Sequence, residues 1–233
     1  MRADVVDMAK GEPDFDTPEH VKQAACRAIE EGFTKYTPQP GMWELRQAAA
    51  HKFQVENRIP VDPEQVVISC GGKHSVEQAI RAVVRPGEEV ILVTPHWYAY
   101  PKQVALAGGT PILVPAHESE GFLPDPAAIT HQVRSRTRLL ILNSPNNPTG
   151  CVYPRVEHVS IASLGQEVAA QTITVNSVSK THAMTGWRIG YAVLPTELVS
   201  RVIDIQGVST SAPSAISQKA AWAALTGDQS HVR

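Results

Sequence analysis

Residues 66–93 read VVISCGGKHSVEQAIRAVVRPGEEVILV, and the order of patterns in this stretch decides the fold class. Val66–Ser69 is a β-branched run of strand length, and Gly71-Gly72 turns the chain from it into a helix. That helix carries Val76, Ala79, Ile80 and Val83 at helical spacing and ends near Pro86-Gly87. Val90–Val93 is a second apolar strand. The alternation extends both ways. Upstream, Thr17-Pro18-Glu19 reads as an N-cap, a proline at the first helical position and an acidic first turn. The helix it opens carries Val21, Ala24, Ala25, Ala28 and Ile29 and stops at Gly32; another, with Leu45, Ala48, Ala49 and Phe53, follows Gly41. Downstream come a helix near 100–107, a strand over 112–114, a short helix near 126–133 and a strand over 139–142. Strands over 172–175 and 188–193 and helices near 197–205 and 213–225 complete the pattern. Such alternation predicts an α/β fold: a mostly parallel sheet with helices on both faces, its ligand sites at the carboxyl ends of the strands.

Composition narrows the function classes. The 233 residues are 42% hydrophobic, and 21 Lys+Arg oppose 23 Asp+Glu, so the chain is neither disordered nor basic enough to bind nucleic acid electrostatically. No apolar run reaches the ~18–20 residues of a membrane span, and Met1-Arg2-Ala3-Asp4 lacks a signal-peptide core; no membrane association is expected. Cys26, Cys70 and Cys151 form no CxxC pair, which suits reduced thiols and a cytoplasmic setting. The nine histidines show no HExxH or other clustered ligand spacing, so no metal site is expected.

Four segments fall at strand ends. Gly71-Gly72 before a helix presents backbone N–H groups that suit a phosphate, yet Val67 stands where a Walker A loop needs its first glycine. Ser177-Val178-Ser179-Lys180, with Arg188 nearby, offers two hydroxyls and cations to a phosphate dianion, or a lysine nucleophile for a carbonyl; a solvated surface lysine is the plain alternative. Trp97 after a strand is either a platform for a planar ring or a core residue. Asn147-Pro148-Thr149-Gly150 reads first as a turn. Together the four segments ask for a planar, phosphorylated aldehyde, a description that pyridoxal phosphate meets.

The combination also carries a resemblance. Gly11-Glu12-Pro13-Asp14-Phe15, Tyr36-Thr37, Gly72-Lys73, Pro95-His96-Trp97, Asn146 through Gly150, and Ser177 through Tyr191 are similar, in order, to the class I/II aminotransferases of the fold-type I pyridoxal-phosphate enzymes. The texture is nearest to the aspartate and aromatic aminotransferases. The resemblance implies a Schiff base between Lys180 and pyridoxal 5'-phosphate, and transfer of an amino group between an amino acid and a 2-oxo acid. It implies that Ser177, Ser179, Arg188 and the backbone of Gly72 and Lys73 hold the phosphate, that Trp97 stacks on the ring, and that Asn147 bonds the ring 3′-oxygen. Tyr36 would reach the phosphate of the neighbouring subunit of a homodimer, and Gly11 would lie beside the substrate carboxylate. Residues 1–35 would form the small-domain and arm side, and 36–233 the cofactor-binding large domain.

The chain also departs from the family pattern. An Asp-x-x-Tyr segment, whose Asp pairs with the pyridinium nitrogen, is expected before the lysine, but no Asp occurs between Asp125 and Asp204. An internal helix–strand segment is missing near 155–158; in the sheet that the resemblance implies, its strand lies between those over 139–142 and 90–93, so these neighbours must close up or leave backbone groups unpaired. The C-terminal small domain, with its carboxylate-clamping Arg, has no counterpart before Arg233. Two alternatives therefore stand beside an aminotransferase: a truncated, impaired cofactor-binding remnant, and another fold-type I reaction of the C–S lyase type. An SxxK serine acyl-enzyme is a third, weakened by the absence of KTG and SDN elements.

Overall fold

The chain was analysed as a computed structural model that describes residues 11–152 and 159–232. The junction expected near 155–158 lies outside the described residues.

Eight helices and six strands alternate much as the patterns predict among those residues. The helices α1 (Glu19–Glu30), α2 (Trp43–Asn57) and α3 (Gly72–Val83) flank β1 (Val66–Ser69). Next come β2 (Glu89–Thr94), α4 (Ala99–Leu106), β3 (Thr110–Pro115), α5 (Pro126–Gln132) and β4 (Thr137–Ile141). The short α6 (Gln166–Ala169), β5 (Thr174–Ser177), β6 (Gly190–Val193), α7 (Thr196–Ser209) and α8 (Ala215–Thr226) complete the order.

Three local differences from the sequence reading have physical causes. Thr17 does not cap α1; Pro18 takes that position, and the Thr17 hydroxyl donates instead to the Ala183 carbonyl at 2.6 Å. β5 begins at Thr174 rather than Thr172, because Thr172 closes α6: its N–H bonds the Ala169 carbonyl and its hydroxyl the Val168 carbonyl. β6 begins at Gly190 because Arg188 is left-handed, with φ 58° and ψ 52°, and ends a 3₁₀ turn over Thr185–Trp187.

The chain divides into two compact units. The first takes the described residues of Met1–Glu56, Pro60–Ser75 and Ile173–Arg233. Its sheet has the order β1-β6-β5, antiparallel at both junctions, with Ser69, Gly190 and Ser177 in one row. α7 packs on β1 and α1 on α8. Val21, Leu45, Phe53 and Ile68 are fully buried, and the Phe53 ring meets the edge of Tyr191 at 5.6 Å. Short, wholly buried strands such as Val66–Ser69 put apolar side chains on both faces, which is why they read as continuous rather than alternating runs.

The second unit takes Asn57–Ile59 and Val76–Thr172. Its sheet has the order β3-β2-β4, parallel throughout, with α4 packed on β2 and β3. Ile80, Val84, Val90, Leu92, Tyr100 and Val104 form its core. The α/β class thus holds, and the parallel pairing lies in this unit. Of the two outcomes expected for the neighbours of the missing strand, closing up is the one observed: among the described residues β2 and β4 pair directly, from Val90↔Leu139 to Leu92↔Ile141. Among the described residues no helix is long and apolar enough to cross a membrane.

Candidate functional site

The site of the first unit grows from the row Ser69–Gly190–Ser177 at one end of its sheet. β1 and β5 both reach their carboxyl ends there, where an α/β sheet presents its loops. The Gly71-Gly72 turn lies directly on Gly190: a Cβ at Gly190 would stand 2.8 Å from Gly72 Cα and closer still to the peptide before it. Gly71 has φ +89°, and the Arg188 guanidinium occupies the space beside it, so a Cβ there would lie 3.0 Å from Arg188 Cζ. Arg188 is held in that pose by donating to the Thr185 carbonyl at 2.8 Å and the Cys70 carbonyl at 3.5 Å. The Gly71 carbonyl accepts from the N–H groups of His74 and Ser75, which opens α3 just beyond the turn. Gly72 and Lys73 are therefore the first two residues of a twelve-residue helix, whose initial N–H groups face outward at its positive end. Ser177 is the neighbour across the turn, its Oγ 3.7 Å from where a Gly72 Cβ would be. A helix N-terminus, a guanidinium and a hydroxyl thus converge on one corner, a donor set suited to a phosphate dianion.

Lys180 follows β5 on a tight turn. Val178 and Met184 are fully buried on either side, Ser179 is buried, and the Lys180 side chain is exposed. The turn is closed by Met184 N–H to the Ser179 carbonyl at 3.0 Å and by Ala183 N–H to the Lys180 carbonyl at 3.2 Å. The Lys180 ammonium donates to the Gly11 carbonyl, so the structure brings together these two sequence-predicted residues. The segment 11–17 is strapped down over this turn. Thr185 donates to the Glu12 carboxylate at 2.5 Å, and Trp187 Nε1 donates to the Thr17 hydroxyl at 3.0 Å. An open groove of about 390 Å³ runs beside the strap, lined by Glu12, Phe15, Thr17, Trp187 and Ser217 among others.

Tyr36 is 98% exposed at the head of a loop that is itself firmly held. Gln218, wholly buried in α8, accepts from Met42 N–H at 2.7 Å and donates to Thr37 Oγ1 and the Pro213 carbonyl, each at 2.8 Å. Gln206, wholly buried in α7, donates to the carbonyls of Gln39 at 2.5 Å and Ile68 at 3.0 Å. Sequence reading missed both. Their signal was a glutamine amid the apolar residues of an otherwise ordinary helix.

Trp97 and Asn147 belong to the second unit. Trp97 follows β2, its ring edge-on to Tyr98 and Tyr100 at 5.6 and 5.5 Å. In the loop after β4, Asn146 is buried and ties the turn: it donates to the Pro95 carbonyl at 3.3 Å and accepts from the Thr149 hydroxyl at 2.9 Å. Asn147 is exposed, held only through its backbone N–H to Asn143 Oδ1 at 2.9 Å. The two adjacent asparagines thus divide the work, one fixing the loop and the other presenting its amide.

Comparison with known proteins bears on the family of the chain. The sequence profile of the family described as "Aminotransferase class I and II" matches in two stretches, residues 3–170 and 157–233. A probable aspartate/prephenate aminotransferase of Thermus aquaticus is 42% identical over 249 residues, covering 96% of this chain and 65% of the relative. An aspartate aminotransferase of Geobacillus stearothermophilus is 39% identical and is covered to 66%. The crystal structure of Thermus thermophilus aspartate aminotransferase with maleate superposes with a TM-score of 0.90 at 41% identity, over 93% of this chain and 64% of that one. The chain therefore spans about two thirds of the length of the curated relatives it matches. The aligned 249 residues also exceed the 233 of the whole chain, so the relative holds internal residues that this sequence lacks. With the profile matched from residue 3 to the end, the chain belongs to the class I and II aminotransferase family.

Proposed function

We propose that this chain is the cofactor-binding part of a pyridoxal-phosphate-dependent amino-acid aminotransferase, acting on aspartate- or glutamate-like or aromatic amino acids and 2-oxo acids. The observation that carries the reading is the convergence of Arg188, Ser177 and the start of α3 on one corner, with Lys180 on the turn that leaves β5. The residues fit the group at its phosphate end, since the turn at Gly71 leaves room for a guanidinium only because it carries no Cβ. Bound there, pyridoxal phosphate supplies an electron sink for charge developing at the substrate Cα.

The chain's own residues supply the rest. Arg188, Ser177, Ser179 and the backbone of Gly72 and Lys73 neutralise and orient the phosphate. Lys180 Nζ is the amine that would hold the cofactor and, when free, would be the base placed to move a proton at the substrate Cα. Gly11, which meets Lys180 Nζ through its carbonyl, stands where a substrate carboxylate would approach. Trp97 and Asn147 serve the ring, by stacking and by a bond to its 3′-oxygen. Tyr36, whose ring is 98% exposed, reaches the phosphate of a second copy in a homodimer. Residues 1–35 serve as the arm side and 36–233 as the large domain of a cytoplasmic enzyme.

A second reading, an impaired cofactor-binding remnant, is favoured by one observation: no Asp between Asp125 and Asp204 to pair with the ring nitrogen. Losing one preorganised electrostatic contact of this kind lowers turnover by roughly 10²–10³. Borohydride reduction of the protein with pyridoxal phosphate, followed by peptide mapping, is expected to leave the cofactor on Lys180. An identical yield of adduct on Lys180→Ala would overturn the assignment. Amino transfer from aspartate or glutamate to a 2-oxo acid, measured above background, separates the enzyme from the remnant.

A further inference from the structure

Three histidines that are far apart in sequence meet behind the Lys180 turn. His182, two residues after the lysine, is 2% exposed, and its N–H closes the turn onto the Val178 carbonyl at 3.2 Å. Its Nδ1 lies 3.0 Å from His231 Nε2, and the two rings are 5.2 Å apart. His20 of α1 stands 5.7 Å beyond His231, its Nε2 buried with no hydrogen-bond partner. Among the described residues no three such side chains are placed to share a metal ion. The contact is therefore a hydrogen bond between two imidazoles, which share one N–H.

We infer that His182 is a positioning residue for Lys180: its bond to His231 pins the turn that carries the lysine. The inference rests on reading Lys180 as the cofactor lysine. The logic is one of donors and acceptors. A neutral imidazole has one donor and one acceptor nitrogen, and an imidazolium has two donors. With both rings neutral, one donates and the other accepts across 3.0 Å; a protonated His182 Nδ1 can no longer accept. The surroundings favour neutral His182. Burial comes first, with His231, Lys52 and His20 adding positive potential and Glu56 opposing them, and together they bring its pKa down to about 4. Asp228 stands near His231 and His20, and Tyr191 near Glu56. A folded pKa below the ordinary 6.5 means that His182 contributes stability above that value, which is lost as pH falls towards 4.

The test uses the chain loaded with pyridoxal phosphate. Cofactor retained after rapid gel filtration is measured from pH 8 to pH 4 for the wild type, His182→Phe and His231→Phe. Phenylalanine keeps the ring volume and removes the titrating nitrogen. His131→Phe, on the exposed face of α5, is the control. Retention is expected to fall several-fold at pH 8 in both variants, which lack the bond at every pH, with a shallower acid limb, and to keep the wild-type level and limb in the control. Coincident curves in all four proteins would overturn the inference. His231 is exposed, so His231→Phe keeps the question open to measurement even where His182→Phe fails to fold. Should no form retain cofactor at any pH, the Lys180 reading fails. The positioning claim is then read from amide protection of residues 178–184, corrected for intrinsic exchange, at pH 7 and pH 4.5. Protection already lower at pH 7 in His231→Phe than in the wild type supports the claim, and equal protection in both refutes it.

Discussion

Replacing Gly190 with alanine tests whether the phosphate corner is built by close approach of two backbones. A Cβ at this position would sit 2.8 Å from Gly72 Cα and closer to the Gly71–Gly72 peptide, all of it backbone rather than the yielding end of a side chain. Neither partner has slack, since Gly190 is paired with both Ser69 and Ser177 and Gly72 opens α3. Overpacking costs typically 1–3 kcal/mol, and a clash with fixed backbone belongs at the upper end of that range. The unfolded chain loses freedom when glycine becomes alanine, which returns about 0.4–1 kcal/mol. The net expectation is a loss of about 2–3 kcal/mol, or a fall in Tm of roughly 4–12 °C for a chain of this size. Gly186 makes the matched control, because a Cβ there would meet nothing within 4 Å. Urea titration followed by tryptophan fluorescence, with the borohydride-trapped adduct measured in parallel, reads both effects. Gly190→Ala is expected to lose stability and adduct together, whereas Gly186→Ala keeps both. Equal stability of the two variants, within about 0.5 kcal/mol, would refute the close-approach argument.

Other consequences are directly measurable. Gln218→Leu leaves Met42 N–H and the Pro213 carbonyl without their partner in a dry interior; a loss of about 2–4 kcal/mol and faster amide exchange over residues 37–42 are expected. Unchanged exchange there would show that the loop before Met42 holds itself. Arg136→Ala strips the 3% exposed Glu89 of its ion-pair partner and should cost about 1–3 kcal/mol in denaturant titration. Arg138→Ala removes a pair whose carboxylate, on Glu88, is more exposed than that of Glu89, and should cost less than Arg136→Ala; the reverse ranking would show that burial of the carboxylate is not what matters.

Much of the fold could be read from local patterns, and the failures share a cause. β1, α3 and β2 follow from runs such as Val66–Ser69 and from punctuation by Gly71-Gly72 and Pro86-Gly87. Thr17 misled because a threonine before a proline has two uses, a cap or a long-range bond. The second won because Ala183, far away in sequence, offers a carbonyl at 2.6 Å. Arg188 looks like the first residue of a strand by hydropathy, yet its backbone is left-handed, which only the turn at Thr185–Trp187 explains. At the site, Lys180 and Gly11 were both legible by motif, whereas their contact emerged only from the fold. His20, His182 and His231 show no spacing pattern, because three separate elements carry them to one place. Gln206 and Gln218 likewise became meaningful only once burial was known.

The division of the chain also sets an order of assembly. The second unit is nearly continuous in sequence, whereas the first closes β1 at Val66–Ser69 onto β6 at Gly190–Val193 across everything between them. Closing so long a loop carries an entropic penalty that grows with its length, so a sheet of this contact order forms late and slowly. Emerging from the ribosome, the parallel sheet can be complete while Gly71 and Gly72 still wait for Ser177, Arg188 and Gly190 to be synthesised. The corner that would receive a phosphate then forms after the parallel sheet, and a bound anion would act there as a clasp on strands already paired rather than as a template for folding them.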